Sequence, residues 1–265
     1  MILAELNAQI RDLLGPATNV EGEYGLSANG CGNVRSFGYA TNLTPETVNG
    51  AIHAKVDLLI THHDAWGFVY GMREACVTAL SLHGIAHIFV HLPLDAAPFG
   101  TAAALIKGLG AKTGGRLAVE NGYPNGLIGI YERPVSRDSV ADVLTEVCGE
   151  AIKVWPAGAV SISSFAVVTG GGSLTKYAHE ARQAKCELYI TGEQSLYLVQ
   201  YCLMAGLNLM IGSHTFTELP GVRALAAELQ KRCPGLISIE IPETHYETAP
   251  NKSVQWTPFR GATDL

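Results

Sequence analysis

The segment Val56–Asp64 constrains the fold more than any other stretch of this sequence. It joins the apolar residues Val56 and Leu58–Ile60 to the pair His62 and His63. A short apolar run is typical of a parallel strand covered on both faces in an α/β sheet. Ligands of such sheets bind beyond the carboxyl ends of the strands, so we expect both imidazoles at a functional edge. Two capping or core histidines are the alternative, and metal ligation is favoured because imidazole is the commonest protein metal ligand.

A second copy of this segment occurs later in the chain. Ala54–His63 aligns without gaps with Ala184–Glu193, and five of the ten positions are identical. After each copy, the next helix and strand end in a histidine followed four residues later by a carboxylate: His91 and Asp95, then His214 and Glu218. A chance match between two amphipathic joints is the alternative. The agreement of successive elements favours an internal duplication, with a pseudo-twofold axis and a metal site in the cleft between the halves.

The alternation of helical and strand patterns predicts an α/β fold built from two related α/β halves. We place the N-terminal half at residues 1–132 and the C-terminal half at residues 133–265. In the first half, Gly15 predicts the end of the opening helix and Thr44 the cap of the next.

In the second half, Pro220 predicts the start of a helix that runs to about Arg232. Ile237–Ile241 is then expected as the last strand of this half, and the tail after Pro242 as irregular.

Charge and composition exclude several classes of protein. The net charge of −6 and the pI near 5.8 argue against general nucleic-acid binding and against an anionic membrane surface. No apolar run approaches the length of a membrane span, and the first helix is amphipathic, unlike a signal sequence. The six cysteines are dispersed and predict reduced, mostly buried thiols. We therefore expect a cytoplasmic protein.

The histidines and acids at the predicted strand ends suggest a pair of metal ions. Neighbouring residues on a strand point to opposite faces, so His62 and His63 are expected to flank two ions and not to grip one. A carboxylate can bridge two such ions, and Asp95 and Glu218 are the available acids. Mixed imidazole and carboxylate ligation suits Zn, Fe, Mn, Co or Ni.

Four further features stay open at this point. His91 is equally suited to direct ligation and to an outer position that orients a ligand, and Asp64 and Glu193 share that status. The turn Gly170–Ser173 can cradle a phosphate with its backbone N–H groups. A tight turn without a ligand is at least as plausible, because the phosphate-loop spacing is missing.

Together these motifs resemble the GTP cyclohydrolase I type 2 family, also called Nif3-like or dinuclear-metal-centre proteins. The resemblance lies in four segments: Asp57–His63, His91–Asp95, Gly192–Glu193 and Gly212–Glu218. It implies two divalent ions per subunit, related α/β halves and a homohexameric ring. The metal ligands that it implies are His62, His63, Asp95, His214 and Glu218. Asp64 departs from the small residue or proline usual after the histidine pair.

Two functions compete for this set of residues. The first is a metal-dependent hydrolase of GTP, or of another nucleotide or phosphorylated small molecule, that uses a metal-bound hydroxide. Glu218 and Asp95 are then the best catalytic candidates. The second is a non-catalytic metalloprotein that acts as a metal-binding or regulatory scaffold. Neither the metal nor the substrate follows from these residues, because function depends on the site and not on the fold.

Overall fold

A computed structural model describes residues 1–30, 32–120 and 122–247. The chain divides into two compact units. Unit 1 comprises Met1–Leu94 with Val222–Thr244, and unit 2 comprises Asp95–Gly221 with residues 245–247. The predicted tail from 248 to 265 and Cys31 lie outside the described residues.

Helices and strands alternate through both units, as the α/β prediction requires. The first part of the chain contains α1 Leu3–Leu14, β1 Tyr24–Asn29, β2 Ser36–Asn42, α2 Pro45–Ala54, β3 Leu58–His63, α3 Met72–Leu82, β4 Ala86–Val90 and α4 His91–Ala96. The middle part contains α5 Thr101–Gly108, β5 Lys112–Glu120, β6 Tyr123–Ser136, α6 Arg137–Cys148, β7 Lys153–Trp155 and β8 Ser161–Val168. The last part contains α7 Thr175–Gln183, β9 Leu188–Thr191, α8 Leu196–Ala205, β10 Asn208–Ile211, α9 His214–Arg232 and β11 Ile237–Glu240.

Local signals place the helix ends where the sequence predicts them. Helix α1 ends at Gly15, whose φ of +73° is accessible to glycine at little cost. Helix α2 begins after Thr44, whose hydroxyl accepts a hydrogen bond from Thr47 N at 3.2 Å. Pro45 occupies its first turn, where a missing N–H costs nothing.

Each unit has one sheet with the same central arrangement. In unit 1 the strand order is β1-β4-β3-β2-β11, and β3 pairs in parallel with β2 and β4. In unit 2 the order is β5-β6-β8-β9-β10-β7, and β9 pairs in parallel with β8 and β10. The strand at the far side of β4 or β10 is antiparallel in both sheets. The two α/β units therefore repeat one topology, which confirms the predicted fold class.

The boundary between the units differs from the expected division after residue 132. Strand β6, Tyr123–Ser136, runs through that position and pairs with β8 in unit 2. Strand β11, expected in the C-terminal half, pairs in parallel with β2 of unit 1 through Ile237↔Ser36 to Glu240↔Tyr39. This exchange depends on pairing between residues about 200 positions apart in sequence, which no local pattern encodes.

Helix α9 also differs from its prediction. It begins at His214 and contains Pro220 within its length, whereas the sequence predicted its start at Pro220. Proline lacks an N–H and usually favours the first turn, yet here the helix continues through it. His214 and Glu218 consequently lie one helical turn apart.

Apolar side chains fill a separate core in each unit. In unit 1 the β3 residues Leu58–Ile60 are buried, and α2 and α3 cover the sheet with Val48 and Leu80. In unit 2 the equivalent core contains the fully buried Tyr189 of β9. The five described cysteines are buried and carry free thiols, as predicted. None of the described helices has both the length and the apolar character required to cross a bilayer.

Candidate metal centre

The carboxyl end of β3 carries two buried histidines. His62 is 0% exposed and His63 is 2% exposed, and they are the last two residues of the strand. Their ring centroids lie 4.4 Å apart. Strand alternation predicted that the two rings would point apart, so this proximity was not expected. The Nδ1 atom of His63 lies 2.8 Å from Oδ1 of Asn42, on the neighbouring strand β2.

A third histidine completes this group in unit 1. His91 is the first residue of α4, directly after β4, and its ring centroid lies 5.1 Å from that of His62 and 5.2 Å from that of His63. One ring nitrogen from each of the three residues lies within 4.8 Å of the others, a geometry that can hold a metal ion. Three imidazoles that converge in this way, two of them buried, fit a borderline divalent cation.

Outer hydrogen bonds set which nitrogen of two of these rings faces the group. Asn42 Nδ2 donates to Glu243 Oε1 at 2.8 Å, which leaves Asn42 Oδ1 to accept from His63 Nδ1–H. Glu23 Oε2 lies 2.5 Å from His91 Nδ1, and this hydrogen bond lowers the pKa of the Glu23 carboxyl group. In both rings Nδ1 is engaged, and ligation through Nε2 would keep these outer contacts. Histidines that bind metals are oriented in this manner.

Unit 2 has a histidine with the same outer support. His214 Nδ1 lies 2.7 Å from Glu193 Oε1, and its Nε2 lies 3.4 Å from Oε1 of Glu218. Glu218 is 4% exposed. Burial alone would lower the pKa of His214, but Glu218 and Glu193 outweigh it and raise that pKa to about 10. A partly buried imidazole between two carboxylates is a site that attracts positive charge, whether a proton or a metal ion.

The turn Gly170–Gly172 makes room for this pair. A Cβ on Gly170, whose φ is +56°, would lie 2.7 Å from His214 Nε2 and closer still to Glu218 Oε1. The turn's own polar groups bind protein: Gly170 N donates to Thr217 Oγ1 at 3.0 Å, and Gly172 N donates to Gly170 O at 2.9 Å. The alternative of a tight structural turn is therefore favoured over a phosphate cradle.

Asp95 occupies α4, one helical turn after His91 in sequence. It is half-buried, and its Oδ1 accepts a hydrogen bond from Thr101 Oγ1 at 2.5 Å. Its assignment as a metal ligand stays a prediction. Of the predicted ligands, the structure brings His62 and His63 together with His91 in unit 1, and His214 together with Glu218 in unit 2.

The residues that support the site histidines are not marked by any local sequence pattern. Glu23 and Asn42 come from the loop before β1 and from the end of β2, and no local motif marks either one. In unit 2, buried Glu150 accepts from Ser213 N at 2.6 Å and from Ser213 Oγ at 2.9 Å, just before His214. Such contacts arise from tertiary packing alone.

The other five histidines of the sequence have ordinary local contacts. His87 is fully buried in β4, with Nε2 2.8 Å from Thr61 Oγ1, and burial lowers its pKa to about 4. His53 and His83 each place Nδ1 near a carbonyl of their own helix, and His179 bonds to Tyr201. His245 stacks on Phe216, with ring centroids 3.7 Å apart.

Comparison with known proteins gives consistent matches over most of the chain. The family model Duf34/NIF3 (NGG1p interacting factor 3) matches residues 11–250. A Pyrococcus horikoshii protein named GTP cyclohydrolase 1 type 2 homolog is 30% identical over 78% of this chain and 84% of its own. A Pseudomonas aeruginosa protein of the same name is 28% identical over 78% of this chain and 84% of its own.

Solved structures agree with these sequence matches. The structure of protein ybgI, of unknown function, superposes with a TM-score of 0.80 and 25% identity, covering 92% of this chain and 99% of that one. Protein TTHA1606 from Thermus thermophilus gives a TM-score of 0.77 and 26% identity, covering 92% and 99%. The fold is thus shared at nearly full length.

Proposed function

The chain belongs to the Duf34/NIF3 family, and on that premise we propose that it binds two divalent metal ions per chain and hydrolyses a nucleotide or another phosphorylated small molecule. The proposed ligands are His62, His63, Asp95, His214 and Glu218. We further propose that it works in the cytoplasm as a homo-oligomer, in the ring of six that the family resemblance implies. GTP is the specific substrate to test first, because relatives carry the name GTP cyclohydrolase 1 type 2 homolog.

One observation carries the metal proposal: an oxygen atom engages Nδ1 of a site histidine in both units. Asn42 does so for His63, and Glu193 does so for His214. This support fixes each ring and raises the basicity of its other nitrogen, Nε2. The donor set of imidazoles and a buried carboxylate fits Zn, Fe, Mn, Co or Ni.

The residues also suit hydrolysis. A divalent ion held by these residues would lower the pKa of a bound water, in zinc enzymes to about 7, and would thereby supply a nucleophile near neutral pH. In this chain Glu193 holds the His214 ring in place, and the carboxylate of Glu218 lies beside Nε2 of that ring. Five protein ligands for two ions leave positions open, as catalytic sites require.

Elemental analysis of the purified chain after metal loading tests the binding proposal. We expect two ions per wild-type chain and the loss of at least one in a variant that combines His62→Ala with Glu218→Ala. His83→Ala is the matched control, because its Nδ1 lies 2.9 Å from the carbonyl oxygen of Ala79 on its own helix. A stoichiometry below one in wild type, or no difference between the variants, contradicts the proposal.

Turnover measurements separate the two candidate functions. Wild type loaded in turn with Mn, Fe, Co, Ni and Zn is incubated with GTP and other nucleotides, and His214→Ala is the negative control. Hydrolysis in wild type, lost in the variant, supports an enzyme. Two bound ions without any turnover would favour the non-catalytic metalloprotein instead.

A further inference from the structure

The segment Asp64–Gly71, here named the aromatic loop, connects β3 to α3 and exposes large apolar side chains. It follows His63 directly in sequence. The side chains of Phe68 and Tyr70 are 75% and 96% exposed, and Val69 between them is 43% exposed. Large exposed apolar patches mark binding surfaces, and three exposed apolar residues in a row make this loop a candidate for one.

A series of rings links this loop to the histidine group. The centroid of the Trp66 ring lies 4.5 Å from that of His63, with an angle of 38° between the planes. Phe68 stacks on the other end of the series, 5.7 Å from Trp66 and 20° from parallel. The rings therefore lead from a proposed metal ligand outward to solvent, and the outermost ring presents a face on which another ring can stack.

Hydrogen bonds within the protein hold the loop in place. Asp64 Oδ2 accepts from Arg73 Nε at 2.7 Å, and Asp64 Oδ1 accepts from Ala65 N at 2.9 Å. Backbone bonds continue the order, from Val69 N to Trp66 O at 3.0 Å and from Met72 N to Val69 O at 3.1 Å. A preorganised loop loses little entropy on binding, which favours a ligand-binding role over a random surface exposure. The hydrogen bonds that order the loop also give a role to Asp64, which departs from the small residue or proline usual at this position.

The chemistry of the loop selects a flat, uncharged ring. Asp64 is the only charged residue from 64 to 71, and it is already paired with Arg73. Aromatic faces bind planar heterocycles through stacking and discriminate poorly among bases. A charged group of the same ligand is then directed toward the imidazoles next to Trp66.

We propose that the aromatic loop stacks the heterocyclic base of the substrate, with Phe68 as the main contact. This inference rests on the proposed function and makes it narrower: the substrate class is nucleotides, and sugar phosphates without a base are excluded. A protein partner that covers the loop is the competing explanation for its exposed rings.

Equilibrium binding to the full metal-loaded chain tests the proposal, with guanosine monophosphate and ribose 5-phosphate as probes. We expect guanosine monophosphate to bind on the order of tenfold more weakly to Phe68→Ala, because one stacking contact is lost. Phe68→Tyr should restore binding. Tyr197→Ala is the matched control, since this exposed aromatic residue lies on α8 of unit 2. Ribose 5-phosphate should bind more weakly than guanosine monophosphate to wild type and equally to all variants.

The outcomes separate this inference from the proposal on which it rests. Equal binding of the two probes to wild type, or equal binding of guanosine monophosphate to wild type and Phe68→Ala, overturns the stacking role and leaves a protein partner as the explanation. Metal content, measured on the same samples, reports on the metal proposal alone. Phe68 is exposed, so its variants are expected to fold, and circular dichroism checks that they do.

Discussion

The joints Ala54–His63 and Ala184–Glu193 share a backbone plan but end in different side chains. Lys55 and Lys185 both have left-handed φ values, of 54° and 62°. Each joint then enters a central parallel strand. The first strand delivers His62 and His63 to its carboxyl end, whereas the second leads into a glycine and Glu193, an outer support of His214.

A shared carboxylate shows how far the backbone plan extends. Asp57 accepts hydrogen bonds from Arg35 N and Ser36 N at 2.8 and 3.1 Å. Glu187 accepts them from Ser163 N and Ser164 N at 3.3 and 2.8 Å. The two units thus keep the same hydrogen bonds at the start of the central strand, whereas the residues at the end of that strand differ. The backbone arrangement of a duplicated unit can therefore be kept while its functional residues change. The predicted equivalence of the two joints is confirmed, and the pseudo-twofold axis stays a prediction.

The largest expected effect on stability concerns His87, a histidine at a position where the second sheet has a leucine. His87 pairs with Leu59 in unit 1, and Leu209 pairs with Tyr189 at the equivalent place in unit 2. Burial lowers the pKa of His87 to about 4, so the unfolded chain binds a proton at pH values where the folded chain does not. Stability should therefore fall as the pH drops from about 6.5 to 4, by roughly 3 kcal/mol in total.

Urea unfolding at a series of pH values measures this loss. His87→Leu copies the second sheet and should flatten the dependence in that window. His179→Gln, an exposed histidine, should leave the slope unchanged. A slope that is the same in wild type and His87→Leu would mean that another group causes it.

The next largest effect concerns Gly192, which occupies the position of His62 in the second joint. A Cβ on Gly192 would lie 2.6 Å from Thr217 Oγ1 and 2.8 Å from His214 Cα. Gly192→Ala should cost about 2 to 3 kcal/mol of stability and weaken metal binding, because α9 must shift. Gly171→Ala is the control, since its nearest neighbour would be His214 Cε1 at an ordinary 3.7 Å. Thermal melting and elemental analysis give the two readouts, and equal melting temperatures for the two variants would refute the steric argument.

The third effect tests the carboxylates that the joints share. Asp57→Ala and Glu187→Ala should each destabilise the chain by about 2 kcal/mol, because each leaves two backbone N–H groups without their charged acceptor. Asp57→Asn and Glu187→Gln keep an acceptor oxygen and should lose less. Chemical denaturation provides the measurement. A large loss in one unit and none in the other would break the proposed equivalence of the frames.

The smallest effect concerns the left-handed lysines. Lys55→Gly and Lys185→Gly should each stabilise the chain by roughly 0.5 to 1 kcal/mol, because glycine has no Cβ to strain in that conformation. The sign should be the same at both positions. Lys176→Gly, within helix α7, serves as the control and should destabilise. Destabilisation by Lys55→Gly or Lys185→Gly would show that its side chain contributes more than its backbone strain costs.

The amino-acid sequence determined those features that depend on neighbours along the chain. Apolar periodicity marked the strands and helices, Thr44 and Gly15 marked helix ends, and the repeated joint marked the duplication. The histidines at the carboxyl end of β3 followed from the same reasoning. These features are local because hydrophobic patterns and caps act over one or two helical turns.

The tertiary structure decided what depends on distant residues. It placed β11 beside β2, started α9 at His214 despite Pro220, and brought Asn42 and Glu23 to the site histidines. It also drew the rings of His62 and His63 together where strand alternation predicted separation. Such contacts form only when packing brings distant elements together, so a local sequence pattern cannot predict them.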